Sequence, residues 1–309
     1  MNMDIEQQFE LISFGILTHW YSFLTDTKLI PNTSNNVIDT KEQIGDDASI
    51  VALTAQKLGI NSAIIGTDLS DDESGKKIIE LLNKSHVNAF YKINPYIKTS
   101  KEVSISDPSG SRTFFWERNS EVLSTLSSVN LSIIDKAKLL YVDWYDGDYI
   151  IKPMQKARDS GISVFLNLED KHSDESIIKK LLPFTTICQV TVDKNQKNTD
   201  SSKILEKIMA YKNIEICIVT LAKHGSIGVT KTSTVRIKNK PINVIDTSGA
   251  GATFSAGFIT GYLKGWKLNE CMLFASAAAN LKCINHDLAF FELDDVLKNY
   301  HTSFYEIEK

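Results

Sequence analysis

The sequence has few features of secreted, membrane or metal-binding proteins. Its four cysteines, Cys188, Cys217, Cys271 and Cys283, show neither C-x-x-C spacing nor a histidine at metal-ligand spacing. The N-terminal residues lack a basic segment followed by an apolar one, and no apolar run approaches the ~18 residues of a membrane span. We therefore expect reduced thiols in the core of a soluble, cytoplasmic protein that does not bind membranes.

An excess of one charge is also missing. The chain of 309 residues carries 34 Lys and Arg against 38 Asp and Glu, a formal net charge of -4, with no basic tail. This mixed distribution predicts a solvated surface and no nucleic-acid partner. The hydrophobic fraction of 42% is that of an ordinary globular protein with a large core.

Short apolar runs alternate with amphipathic segments along most of the chain. The first strands and helices are predicted at 9–17, 46–59, 61–68 and 72–86, and the alternation resumes at 138. Three further helices are predicted at about 250–264, 268–284 and 291–300. Strands that alternate with helices predict an α/β fold with a mainly parallel sheet, covered on both faces.

Two β-rich segments interrupt this alternation, at about 18–40 and 88–116. The second includes the turn DPSG at 107–110, which predicts a hairpin. Strand-rich segments of this kind often cover the carboxyl ends of parallel strands, where ligands bind. We therefore predict one α/β domain over residues 1–309, with a lid formed by these two segments.

Residues 246–258 read DTSGAGATFSAGF. Gly249, Ala250 and Gly251 are small enough to let another group approach the backbone, and the segment that follows should be helical. The first amide N–H groups of a helix are unpaired and carry partial positive charge, so this turn can bind an anion without a charged side chain. Close helix–strand packing requires small residues too, and the spacing alone leaves both interpretations open.

This stretch resembles the C-terminal signature of the PfkB/ribokinase family of carbohydrate kinases, D-T-x-G-A-G-D-x-F-x-A-G-F. The matching residues are Asp246, Thr247, Gly249, Ala250, Gly251, Phe254, Ala256, Gly257 and Phe258. Residues 51–82 resemble the first signature region of the family, and 107–116 resemble its lid hairpin. Residues 139–170 are similar to the ketohexokinase-like branch.

The resemblance implies a ribokinase-like three-layer sandwich with a mainly parallel central sheet and a small β-rich lid. It also implies transfer of the γ-phosphate of ATP to a sugar or nucleoside hydroxyl, with Mg²⁺ accompanying the nucleotide. Thr220, Ala222 and Gly225 match the nucleotide-binding turn T-L-G-x-x-G, with Ala222 replacing the first glycine. Asp246 matches a residue that, in several members, helps to hold a monovalent cation such as K⁺.

The sequence departs from the family at the catalytic base. The second aspartate of the signature is the general base, and Ala252 stands in its place. Alanine cannot accept a proton, and general-base catalysis typically contributes 10²–10⁴-fold. We therefore expect the chain to be inactive or strongly impaired.

The sugar-binding positions differ as well. Trp20 occupies the position of the family's sugar-binding Asp, where it could stack on a ring or fill the pocket. In the motif G-G-x-x-x-N, Gly45 matches the first glycine, whereas Asp46 and Ile50 replace the second glycine and the asparagine.

Four more residues are candidates for substrate binding or catalysis. Asp46 and Asp47 could bind hydroxyl groups or replace the base, although acidic residues are common at helix starts. Arg112 and Asp143 could contact a substrate. The motif N-x-x-E, which supports the metal in many members, appears as TVDK at 191–194, with Lys194 at the glutamate position.

Three functions remain open. The first is an ATP-dependent sugar or nucleoside kinase whose base was removed by engineering or is replaced by Asp46 or Asp47. The second is a natural pseudokinase that binds ATP, ADP or a phosphorylated ligand and acts through a protein partner. The third is an enzyme of another class acting on a phosphorylated ligand. Alternating aromatic residues at 114–116 also predict a homodimer through the lid.

Overall fold

Strands and helices alternate along the chain, as the hydrophobic pattern predicts. The computed structural model of the chain describes residues 8–192, 200–288 and 291–308. In chain order the strands of this part are β1 (Phe9–Gly15), β2 (Thr18–Thr25), β3 (Val37–Gly45), β4 (Ser62–Gly66), β5 (Asn88–Phe90), β6 (Ser100–Ser106), β7 (Arg112–Trp116), β8 (Ala137–Asp143), β9 (Ser163–Glu169), β10 (Ile187–Thr191), β11 (Ile216–Thr220), β12 (Ser226–Thr230), β13 (Thr234–Asn239) and β14 (Ser303–Glu308). Its α-helices are α1 (Asp47–Lys57), α2 (Glu73–Ser85), α3 (Ser120–Ser124), α4 (Ile151–Asp159), α5 (Glu175–Leu181), α6 (Ser201–Met209), α7 (Ala250–Leu263), α8 (Leu268–Cys283) and α9 (Leu293–Lys298).

A large sheet forms the centre of the molecule. Within the described ranges it has ten strands in the order β14-β13-β12-β11-β10-β9-β8-β1-β4-β5. Neighbouring strands from β5 to β11 are parallel, and β12 to β14 are antiparallel. Successive residues of β1 enter different hydrophobic clusters, Leu11 one and Ile12 the other, because side chains of a strand alternate between its faces. The predicted mainly parallel sheet between helical layers is confirmed.

A smaller sheet of four strands, in the order β3-β2-β6-β7, lies mostly in the part of the chain predicted to form the lid, but β3 continues to Gly45, beyond the predicted end at about residue 40. Strands β2 and β6 are parallel, with Thr18 opposite Ser100. The predicted lid segment 88–116 is divided in the structure: β5 extends the large sheet beside β4, so this segment enters the small sheet only from β6 onward. The reason is that β4, α2 and β5 form a β–α–β unit, whose second strand pairs with the first.

The C-terminal strand β14 was not predicted. It pairs antiparallel with β13 at the edge of the large sheet. Its sequence SFYEIE is short, and half of its residues are polar or charged, so the period-2 signal of a half-buried strand is weak.

His286 joins the small sheet to the segment after α8. Its Nε2 lies 2.7 Å from the Ser22 Oγ on β2, and its Nδ1 lies 2.8 Å from an Asp39 carboxylate oxygen on β3. Nearby, the backbone N–H of Leu288 donates to the side chain of Gln43 on β3. These contacts fix β2 and β3 of the small sheet to the body of the protein.

The burial of the four cysteines and the length of the helices can be compared with what the sequence predicts. Cys188, Cys217 and Cys271 are buried free thiols, and burial raises the pKa of Cys271 to about 12. Cys283 is free and partly exposed. Among the described residues, every helix is too short or too polar to cross a bilayer.

Candidate active site

The glycine turn precedes the first turn of α7. Gly249 is the N-cap residue, with φ 75°, a left-handed conformation that glycine adopts without strain. Gly251 is exposed in the first turn of the helix. A Cβ atom built on it would meet, as its nearest neighbour, an Oε1 atom of Glu169 at 3.9 Å. The N-terminus of α7 therefore faces open space, which is the arrangement that binds anions.

An ion pair lies behind this turn. Lys282 Nζ is 3.0 Å from an Asp246 carboxylate oxygen, and both side chains are fully buried. The Asp246 carboxylate also accepts hydrogen bonds from Ser106 Oγ (2.6 Å) and the Ser248 N–H (2.9 Å), and Lys282 donates to the carbonyl oxygen of Asn285. Burial acts to raise the pKa of Asp246, but Lys282 and these hydrogen bonds together hold it below its ordinary value. Asp246, the candidate monovalent-cation ligand, thus has a lysine ammonium group on its carboxylate.

Arg112 reaches the glycine turn from the small sheet. Its Nη1 donates to the carbonyl oxygen of Thr247 (2.9 Å) and to the hydroxyl oxygen of the same residue (2.6 Å). Strand β7 is therefore tied to the turn, and a guanidinium group lies beside it.

Ala252 is buried in the first turn of α7, with 1% of its surface exposed. Its methyl group belongs to the same hydrophobic cluster as Ile50 on α1. This side chain offers no proton acceptor to a ligand held at the turn.

Trp20 is also buried, with 1% of its surface exposed. Its indole N–H donates to Ser104 Oγ at 2.9 Å, and a Cβ atom on Gly45 would lie 2.8 Å from the Trp20 Cβ. The indole ring is packed inside the protein and presents no accessible face for stacking on a sugar.

An acidic cluster surrounds Arg118. Carboxylate oxygens of Asp46, Asp143 and Asp146 lie within 4.8 Å of one another. Arg118 donates to Asp46 through Nη2 and to Asp146 through Nη1, the latter at 3.0 Å. Within the described part of the chain, one oxygen of Asp143 and one of Asp146 lack a hydrogen-bond partner.

Burial is the main electrostatic influence on this cluster. It raises the pKa of Asp146 to about 7, with a further contribution from Asp46, while Arg118 acts in the opposite direction. It also raises the pKa of Glu102 on β6 to about 8 and that of Asp143 well above its usual range. Burial therefore favours the neutral forms of these carboxyl groups.

A second set of polar side chains links α1 to the end of β9. Asn167 Nδ2 donates to Asp47 Oδ2 (2.9 Å) and to Glu169 Oε1 (2.8 Å). Burial, followed by the charges of Glu169 and Asp46, raises the pKa of Asp47 well above its usual range. Glu169 is not among the residues predicted from the sequence; its signal there is a carboxylate at the carboxyl end of a parallel strand, where sites of α/β sheets lie.

The predicted nucleotide-binding residues form a tight turn after β11. Thr220 ends the strand, and Ala222 has φ 49°, a left-handed conformation that costs an alanine about 1–2 kcal/mol. Gly225 has φ 100°, and a Cβ on it would lie 2.0 Å from the carbonyl oxygen of Ile237. The turn thus keeps a glycine-like backbone where Ala222 replaces glycine. Residues 193 and 194 of the TVDK motif lie outside the described residues.

The chain is similar to known kinases along most of its length. Residues 9–292 match the model of the pfkB family carbohydrate kinases. A nucleoside kinase of Methanocaldococcus jannaschii is 25% identical over 259 residues, which cover 81% of this chain and 82% of that protein. A 5-dehydro-2-deoxygluconokinase of Geobacillus thermodenitrificans is 22% identical over 269 residues, 79% of each chain. The crystal structure of a ribokinase from Thermotoga maritima superposes with a TM-score of 0.76 at 14% identity, covering 95% of this chain and 99% of that one, which shows a ribokinase-like fold. Because the family model spans most of the sequence, the chain belongs to the PfkB family of carbohydrate kinases.

Proposed function

We propose that the chain transfers the γ-phosphate of ATP to a hydroxyl group of a sugar or nucleoside, with turnover strongly impaired by Ala252. Membership of the family implies a nucleotide with a divalent metal ion and a sugar or nucleoside substrate. The observation that carries the proposal is the open N-terminus of α7 at Gly251. Phosphoryl transfer depends mainly on positioning and charge stabilisation, so slow turnover is expected to persist without an aspartate at position 252.

Two turns and one arginine would bind the phosphates of the nucleotide. The turn from Gly249 to Gly251 would stabilise the charge that develops on the transferred phosphoryl group, and the turn from Thr220 to Gly225 would contact the other phosphates. Arg112, which holds the glycine turn through Thr247, would add positive charge there.

The divalent metal would enter with the nucleotide. Mg²⁺ usually keeps phosphate oxygens and water as most of its ligands. The cluster of Asp46, Asp143 and Asp146 does not fit it, because Arg118 already donates to two of the three carboxylates. We therefore assign the cluster no role in holding the metal.

The anion site is tested by Gly251→Ala. Apart from the adjacent residues and the backbone of its own helix, the nearest described atom to the new methyl group would be Glu169 Oε1 at 3.9 Å, and alanine favours helices, so the variant should fold with unchanged or higher stability. The methyl group would nevertheless occupy the space in front of the first turn of α7. We expect titration calorimetry to show ADP and ATP–Mg²⁺ binding to the native chain and affinity at least about tenfold lower in the variant, a loss of ~1.4 kcal/mol.

The reaction is tested in the same experiment by Ala252→Asp. This variant should release ADP about 10²–10⁴-fold faster than the native chain with one member of a panel containing ribose, 5-dehydro-2-deoxygluconate and common nucleosides. If neither protein binds a nucleotide or releases ADP above background, the proposed function is wrong.

A pseudokinase is the second candidate, favoured by the burial of Trp20 where the family binds sugars. A pseudokinase that acts through a protein partner should bind nucleotide in the native chain. It should show no turnover with any member of the panel, even after Ala252→Asp.

We also propose a homodimer formed through β7. This strand is at the edge of the small sheet, and Phe115 and Trp116 are more than half exposed on it. Exposed edge strands with apolar side chains tend to pair with another chain. Sedimentation should show a dimer that Phe115→Glu converts to monomer, whereas Tyr96→Glu, at an exposed residue outside the small sheet, should leave it intact. A monomeric native chain would contradict the proposal.

A further inference from the structure

Glu169 lies beside the space in front of α7. It is the last residue of β9 and is partly exposed. Its Oε1 is 3.9 Å from the position that a Cβ atom on Gly251 would occupy. A phosphoryl group held by the first turn of this helix would therefore lie close to the Glu169 carboxylate, and so would the hydroxyl that attacks it.

The protein fixes the orientation of this carboxylate. Asn167, which is fully buried, donates to Glu169 Oε1 at 2.8 Å and leaves the other carboxylate oxygen free of this contact. Glu169 also has φ 48°, a left-handed conformation that non-glycine residues rarely adopt. Strained backbone of this kind clusters at functional sites, because the surrounding structure has to hold it in place.

The other carboxylates near the turn are less suited to accept a proton. Burial raises the pKa of Asp46 while Arg118 acts in the opposite direction, and the Asp46 carboxylate is already held in an ion pair with Arg118. The Asp47 carboxylate accepts a hydrogen bond from Asn167, and burial, followed by the charges of Glu169 and Asp46, raises the pKa of Asp47 well above its usual range. Glu169 lies close to Gly251 and is partly exposed to solvent, and it accepts its hydrogen bond from the neutral amide of Asn167.

We infer that Glu169 is the proton acceptor of the phosphoryl transfer and compensates in part for the side chain absent at Ala252; this inference rests on the proposed function. The hydroxyl O–H bond breaks and its proton moves to the Glu169 carboxylate. The hydroxyl oxygen bonds to the γ-phosphorus, and the bond from that phosphorus to the bridging oxygen breaks. ADP leaves with the electron pair, and Glu169 returns the proton to solvent.

The test compares Glu169→Gln in the native chain and in the Ala252→Asp variant. Glutamine preserves the shape and the hydrogen bond from Asn167 but cannot accept the proton. ADP release with the acceptor identified by the panel should fall at least about 10²-fold in the native background. With Asp at position 252, the same change should cost less than about tenfold, because a second base is present. The neighbouring Asp170→Asn is the matched control and should leave turnover unchanged.

Three results would overturn the inference. Unchanged turnover of Glu169→Gln in the native background would exclude Glu169 as the acceptor and leave the proposed function intact. Equal losses in both backgrounds, with weaker ADP binding, would show that Glu169 binds the nucleotide and its metal instead. Absence of turnover in both the native chain and Ala252→Asp would overturn the proposed function and this inference together.

Discussion

Arg118→Met is expected to lower the free energy of unfolding by about 3–5 kcal/mol at pH 8. Arg118 is the cation that donates to both Asp46 and Asp146, and its side chain is 15% exposed. Methionine preserves much of the volume but leaves these carboxylates buried without a positive partner. Chemical denaturation monitored by fluorescence would measure the loss.

The loss of unfolding free energy in Arg118→Met should be larger at high pH than at low pH. The pKa values of Asp146 (about 7) and Glu102 (about 8) are raised in the folded protein above their ordinary values near 4. Between about pH 4 and pH 8 the folded state binds more protons than the unfolded state, so the free energy of unfolding falls as the pH rises. Without Arg118 the pKa values rise further, and the variant should lose at pH 5 less than half of what it loses at pH 8.

Two further variants serve as controls for this prediction. Arg118→Lys retains the charge but cannot bridge two carboxylates with a planar group, so its loss should be intermediate. Arg158→Met, at an exposed arginine on α4, should cost about 1 kcal/mol or less. A loss for Arg118→Met that is the same at both pH values would refute the electrostatic account.

Lys282→Met should also destabilise the protein by about 3–5 kcal/mol, because it leaves the fully buried Asp246 carboxylate without its cation. Adding Asp246→Asn should restore a large part of the stability, since the unpaired charge is then removed. Thermal and chemical unfolding of the single and double variants would measure the coupling between the two residues.

The effect of K⁺ on stability tests the ion pair of Asp246 and Lys282 independently. We propose that the Lys282 ammonium supplies the positive charge for which a monovalent cation was expected at Asp246. The native chain should then be indifferent to K⁺ at constant ionic strength. Lys282→Met should be stabilised by K⁺ relative to choline, as expected when a ligand binds the folded state. Equal stabilisation of both proteins by K⁺ would show that the cation binds elsewhere.

Local sequence patterns were sufficient to predict most of the architecture. The apolar runs at 9–17 and 61–68 became β1 and β4 because helices cover both faces of the sheet, so nearly every residue in them is buried. The turn before α7 was predicted because a run of small residues followed by an apolar segment can adopt few other local structures.

The partners of the charged residues could not be predicted in the same way. Lys282 has the sequence position of an ordinary cation in the last turn of a helix, which favours that charge at the surface. Its carboxylate partner is Asp246, 36 residues away, and a contact over that distance is decided by helix packing rather than by periodicity. Arg118 and Asp46 are separated by 72 residues, so their pairing was equally hidden.

The small sheet has a consequence for the order of folding. Ser22 on β2 and Ser104 on β6 are hydrogen-bonded neighbours, yet 82 residues separate them in the chain. Closing so long a loop costs entropy, and pairings between distant segments slow folding. The intervening chain contains the units α1–β4 and α2–β5, whose assembly into the large sheet brings β2 and β6 together. We infer that the small sheet forms last during refolding, and pulse-labelled amide exchange should show β6 protected after β4. Ser106 and Arg112, which the small sheet contributes beside the glycine turn, would then reach that turn only once the large sheet is complete.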